Sequence, residues 1–170
     1  KSSFQDREHL YLVMDYLNGG DLRYHIGCRG KFNQAETKFF IANIIIGYNI
    51  FITQNLHSDL KPENFVFDSD GYLRITDLGV SRIVRGDNHQ DTSGTPGYMA
   101  PEVICHKNHS FTADYFALGV MGYEFMWAGD LTMEKIENKF DNYINETNLS
   151  KTGRATLQMS PKAADFINQV

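Results

Sequence analysis

The stretch from Phe39 to Ile52 is the most apolar of the chain, and a segment of that kind is stable only when buried. Asn33 with Glu36 three residues on resembles a capping box. Phe40, Ile44, Tyr48 and Phe51 then recur at helical spacing, which predicts a long buried helix with Gly47 as its weak point. Asn43, Gly47 and Asn49 interrupt the run, which is shorter than the roughly 20 residues that cross a bilayer, so no membrane insertion is expected. A second helix is predicted from about Phe111 to Trp127, with Phe116, Val120, Tyr123 and Trp127 as its core face.

Shorter signals surround these helices. His9 to Tyr16 reads as a strand, and Leu17-Asn18-Gly19-Gly20 after it is turn chemistry. Phe65-Val66-Phe67 and Tyr72-Leu73-Arg74-Ile75, separated by Asp68-Ser69-Asp70-Gly71, predict an antiparallel hairpin. Asp77 to Pro101 is rich in glycine and small polar residues and reads as one long irregular loop, the kind of segment that often carries function. Gly129 to Gly153 is weakly patterned, and Ser160 before Pro161 reads as the cap of a final helix.

The 170 residues fit one ordinary domain, and a hydrophobic share of 42% with 13% aromatics excludes a mainly disordered chain. A net charge of −5 argues against nucleic acid as a partner. Two cysteines, Cys28 and Cys105, are too few for a disulfide framework and fit a reduced, intracellular chain.

Three blocks carry chemistry: His57-Ser58-Asp59-Leu60-Lys61-Pro62-Glu63-Asn64, then Asp77-Leu78-Gly79, then Gly94-Thr95-Pro96-Gly97-Tyr98-Met99-Ala100-Pro101-Glu102. Singly each has a bland explanation as a turn or loop end. Together, in this order, they resemble the catalytic loop, the metal-binding turn and the end of the activation segment of protein kinases. Asp114-Tyr115-Phe116-Ala117-Leu118-Gly119 resembles the helix start that follows them in that family. The resemblance implies an α+β, protein-kinase-like fold: a mainly helical C-terminal lobe with a remnant small-lobe strand and a β-hairpin. Residues 1–19 would be the last small-lobe strands and hinge, and 20–170 the C-terminal lobe.

The resemblance also implies roles. Asp59 would accept the proton of the attacking hydroxyl, and Lys61 would neutralise charge on the transferring phosphoryl group. Asn64 and Asp77 would be oxygen ligands of Mg²⁺ bridging the phosphates of ATP. Lys61 together with Gly94-Thr95-Pro96 resembles the serine/threonine-specific branch, and Thr95 would bond to both Asp59 and Lys61. The strand end at Val13 to Leu17 resembles the hinge, with backbone groups of Asp15 and Leu17 pairing with adenine, Met14 behind it, and Val66 and Thr76 as the pocket floor. Gly19-Gly20-Asp21-Leu22 resembles the AGC group, where the acidic residue touches ribose and a basic residue of the substrate. Asp21 and Glu63 would therefore favour protein substrates with Arg or Lys upstream of the target. Asp21 reads equally well as the cap of the next helix.

Departures matter too. Ser58 stands where the family's loop carries arginine, and Asp91 where AGC relatives often carry a phosphorylated threonine, so control by that phosphate is not expected. Thr92 and Ser93 keep hydroxyls there, readable as modification sites or as solvated side chains. Leu78 replaces an aromatic residue and is expected to keep an apolar packing role. The chain begins one strand before the hinge, so the glycine-rich phosphate loop is not in it, and Glu102 is expected to be a buried carboxylate without its usual arginine. The isolated chain is accordingly expected to transfer no phosphate. The alternative to a kinase is a truncated, non-catalytic scaffold or decayed gene product. Cys105, His106 and His109 lie close in sequence but lack a second ligand cluster for zinc. The expected location is intracellular, in the cytoplasm.

Overall fold

The computed structural model describes residues 1–52 and 55–127. Ser2–Gln5 (β1) and Leu10–Val13 (β2) pair antiparallel, with Ser2 opposite Val13 and Gln5 opposite Leu10. Asp6 makes the turn, its Oδ1 accepting from the N–H groups of Glu8 at 2.8 Å and His9 at 2.7 Å. The strand expected over His9 to Tyr16 therefore stops at Val13, and both strands are exposed along their length. The chain then runs extended to Gly19, whose N–H donates to the Phe67 carbonyl at 3.0 Å, while the Phe67 N–H donates to Gly20 at 2.9 Å. A Cβ on Gly19 would lie 2.5 Å from the Phe67 Cβ, so the close approach requires glycine.

Leu22–Arg29 (α1) starts at Asp21, whose carboxylate accepts from the Tyr24 N–H at 2.7 Å. It ends at Gly30, where a φ of 79° suits glycine. Gln34–Phe51 (α2) begins with the expected capping box: Asn33 accepts from the Glu36 N–H at 3.0 Å, and Glu36 accepts from the Asn33 N–H at 2.9 Å. Its buried face is Thr37, Ile41, Ile44 and Tyr48, with Phe40 and Phe51 at the margin.

Asn55–Leu56 (β3) pairs antiparallel with Arg82–Ile83 (β6), bracketing the catalytic-loop sequence and the metal-turn sequence between them. Phe65–Phe67 (β4) and Leu73–Ile75 (β5) form the expected hairpin, with Asp68 accepting from the N–H groups of Asp70 and Tyr72 across its turn. Beyond β6 the segment is irregular up to the short helix Pro101–Ile104 (α3). Thr112–Trp127 (α4) follows.

The second apolar helix is present, but its core face is not the expected one. Phe116, Val120, Tyr123 and Trp127 are half-buried, and Ala113, Asp114, Ala117, Leu118, Met121, Gly122 and Phe125 are buried. Helix α4 packs on α2, with Gly122 against Ile41, and turns Leu118, Met121 and Phe125 into the core. Large residues at helical spacing therefore misled the reading, because the position of α2 decides which stripe of α4 is buried. One core joins Leu22, Ile44, Tyr48, Phe65, Met121 and Phe125 with Leu60 of the loop. The expected tail and final helix, Gly129 to Gly153 and beyond Ser160, lie outside the described residues.

Candidate active site

The loop from His57 to Asn64 runs between β3 and β4 and is pinned from below by α4. Asp114, 2% exposed, accepts from the N–H groups of His57 at 2.7 Å and Ser58 at 3.0 Å and from the Tyr48 hydroxyl at 2.5 Å. Ser58 takes a left-handed φ of 68° within that grip. Burial pushes the Asp114 carboxyl up, against the three donors that favour its charge. Burial beside Asp114 also pushes the Tyr48 hydroxyl up, so it stays a donor.

His57 is fully buried, and burial holds its pKa below the ordinary 6.5 despite nearby carboxylates. Both ring nitrogens have partners suited to the neutral ring. The Asp59 N–H donates to Nδ1 at 3.3 Å, and Nε2 lies 3.3 Å from the Thr76 carbonyl.

Asp59 sits at the centre of a polar cluster. Its Oδ1 accepts from the Thr95 hydroxyl at 2.6 Å, and its Oδ2 lies 2.8 Å from the Lys61 Nζ. Lys61 donates to the Thr95 hydroxyl at 2.7 Å. Asn64 donates through Nδ2 to the Asp59 carbonyl at 2.8 Å and reaches Oδ2 at 3.4 Å. Partial burial would raise the Asp59 pKa, but donation from Lys61 and Thr95 outweighs it and holds the carboxylate below its ordinary 3.8. The structure thus brings Asp59, Lys61, Asn64 and Thr95 together.

Asn64 is held by Thr76, whose N–H and hydroxyl both donate to its carbonyl, at 2.9 and 3.2 Å. That bond fixes the start of the turn carrying Asp77, which is exposed, has a left-handed φ of 58° and accepts from the Gly79 N–H at 3.2 Å. Leu78 is 53% exposed, so the packing role expected of it is not made among the described residues. Val66 bridges to Asp21 beside α1, which places β4 next to the segment after Leu17. Met14 is exposed, Leu17 is half-buried, and the exposed Asp15 pairs with Lys1 at 2.7 Å.

Asp21 caps α1, one of the two readings open for it. Glu63 accepts from Arg23 Nε at 2.8 Å, so its charge is already partnered. Arg23 also pairs with the buried Glu124 and with the Tyr98 hydroxyl, which donates onward to Glu124 at 2.5 Å. Sequence reasoning missed Arg23 and Glu124, which lie far apart in the chain and share no motif. Glu102 is half-buried rather than buried, its backbone carbonyl accepting from Lys107 at 2.8 Å, so the expected cost of a buried lone carboxylate does not arise. No group of three His, Cys, Asp or Glu side chains converges to hold a metal ion among the described residues, and Cys28 and Cys105 are both free and exposed. No helix among the described residues is long and apolar enough to cross a membrane.

A loop pinned by a buried carboxylate thus gathers an aspartate, a lysine, an asparagine and a threonine, and the bonds from Thr76 to Asn64 tie it to the turn that carries Asp77. The protein kinase domain profile matches residues 1–170, and the chain belongs to the protein kinase family. It is similar to protein kinase C zeta type of Oryctolagus cuniculus, with 33% identity over 98% of this chain and 29% of the relative. It is also similar to protein kinase C delta type of Rattus norvegicus (38% identity over 73% of this chain and 19% of the relative). The cAMP-dependent protein kinase catalytic subunit of Dictyostelium discoideum matches at 38% identity over the same shares. These relatives are of the AGC type that the Gly19 to Leu22 run resembles. The chain spans less than a third of the length of each.

Proposed function

We propose that residues 1–170 are the hinge and C-terminal lobe of a serine/threonine protein kinase, which transfers the γ-phosphoryl group of ATP to hydroxyls of protein substrates. The observation that carries this reading is the cluster of Asp59 with Lys61, Asn64 and Thr95. Asp59, kept ionised by its donors, orients the substrate hydroxyl and takes its proton as the oxygen attacks phosphorus. Thr95 and Asn64 fix the carboxylate's two oxygens, so the acceptor does not rotate. Lys61 lies against the same carboxylate and faces the charge that develops on the phosphoryl group.

The donor set suits Mg²⁺. The Nδ2 of Asn64 is engaged with Asp59, leaving its amide oxygen to join the exposed Asp77 carboxylate, and Mg²⁺ is commonly held by one or two such oxygens plus phosphates. Held by Asn64 and Asp77, such an ion would supply positive charge against the phosphates of ATP. The segment Met14 to Leu17 with Val66 and Thr76 is the proposed adenine site, with Asp15 and Leu17 offering backbone groups. Asp21 is the proposed ribose contact. Asp21 and the exposed edge of Glu63 support a preference for basic residues upstream of the target, and the absence of a disulfide partner for either free cysteine supports an intracellular, cytoplasmic location.

The test is Mg·ATP-dependent labelling of a serine peptide with upstream arginines by the polypeptide as the cell makes it. Asp59→Asn is expected to lower turnover by about 10² to 10⁴ while leaving ATP binding intact. Equal turnover in the two proteins would remove Asp59 as the proton acceptor.

A further inference from the structure

The segment between β6 and Thr95 is irregular, yet it is fastened at three points. Arg82, at the start of β6, directs its guanidinium into the loop that follows it: one terminal nitrogen pairs with the Asp91 carboxylate and the other donates to the Ser93 hydroxyl. Asn88, 7% exposed, clasps the loop before α4 by donating from Nδ2 to the His109 carbonyl at 2.7 Å and accepting from the His109 N–H at 2.9 Å. The Asp91 N–H closes a turn on the Asn88 carbonyl at 2.8 Å, so the clasp and the guanidinium act on one turn. Two residues past Ser93, the Thr95 hydroxyl donates to Asp59.

Arg82 is itself anchored, because its strand partner is Leu56, adjacent to His57. A forked, planar cation fixed at the root of the catalytic loop therefore grips the two side chains that precede Thr95. Gly94, between Ser93 and Thr95, has a φ of 144°, and a Cβ there would lie 2.9 Å from the Ser58 carbonyl, so the chain passes against the loop with no slack.

We propose that Arg82 and Asp91 are positioning residues forming an internal latch, which holds residues 91–95 against the catalytic loop without an added phosphate. The carboxylate of Asp91 supplies the negative charge that orders the segment, and Ser93 completes the fork. The consequence for transfer rests on the reading of Asp59 given above; the latch does not.

Hydrogen exchange of the full 170-residue chain, treated with phosphatase, tests it independently of activity. Asp91→Asn is expected to speed exchange in peptides covering residues 84–95 by about 1.4- to 5-fold, the range for a partly exposed ion pair, with peptides from α2 unchanged. Exchanging the partners, Arg82→Asp with Asp91→Arg, is expected to restore most of the protection. In 1 M salt the wild-type segment should move toward the Asp91→Asn rate, a readout that needs no variant to fold. Fast exchange in the phosphatase-treated wild type, matching Asp91→Asn and indifferent to salt, would overturn the latch, as would a charge-swapped protein no better protected than the single variant.

Discussion

His57 shows how one side chain couples fold to acidity. It is fully buried in its neutral form, accepting from the Asp59 N–H on Nδ1 with Nε2 facing the Thr76 carbonyl. A second ring proton on Nδ1 would point at an N–H group and lose that bond. Because burial depresses its pKa, the unfolded chain binds the proton first, so its contribution is full above pH 6.5 and is lost as pH falls toward the folded value. The urea midpoint should therefore drop between pH 7.5 and 5.5, and His57→Gln should lack that part of the slope. Asp114, pushed up by burial, has the opposite sign, with a window that opens at its ordinary 3.8. A wild-type midpoint that does not move below pH 6.5 would contradict a neutral buried His57.

At the level of elements, glycines decide how closely segments pass. Gly94 carries a left-handed-side φ and lies under the Ser58 carbonyl and the Met99 side chain. Gly94→Ala is expected to lift residues 93–95 from the loop and break the bond from Thr95 to Asp59, costing about 1 to 3 kcal/mol of stability from overpacking. Turnover should fall more than stability accounts for, which thermal unfolding and peptide phosphorylation measured side by side would reveal. Gly19, against the backbone and Cβ of Phe67, does the same for the segment between β2 and α1. Much at this scale was legible. The capping box of α2 and the hairpin of β4 and β5 follow from local rules, since their signals lie within a few residues of the structure they make. The core face of α4 was not, because the stripe that buries Leu118, Met121 and Phe125 is set by packing against α2, a partner far away in sequence.

Across the whole molecule, Arg23 ties four parts together. From α1 it reaches Glu63 before β4, Tyr98 of the irregular segment and Glu124 of α4. Its pKa is raised: burial would lower it, and the hydrogen bonds with Glu124 and Glu63 outweigh that. Glu124 is 6% exposed, so Arg23→Ala leaves a buried carboxylate whose remaining partner among the described residues is Tyr98. Arg23 is itself partly exposed, so the loss is expected to fall below the about 3 to 5 kcal/mol of a fully buried pair, and urea denaturation should register it as a lower midpoint with an unchanged slope. Replacing Arg23 and Glu124 together by apolar residues of similar volume should recover a large part of the loss.

The sequence by itself determined the family, the capping box of α2, the hairpin and the group of Asp59, Lys61, Asn64 and Thr95, because each rests on residue types at short spacing or on ordered motifs. It was silent on which groups hold that site in shape. Asp114 under the loop and Arg23 between two glutamates are contacts across tens of residues, and Arg82 meets Asp91 nine residues on through an irregular segment, with no local pattern to announce any of them. Only the tertiary structure decided those. Burial and charge pairing depend on what packs against a side chain, and that is fixed by the arrangement of whole elements rather than by neighbours in the chain.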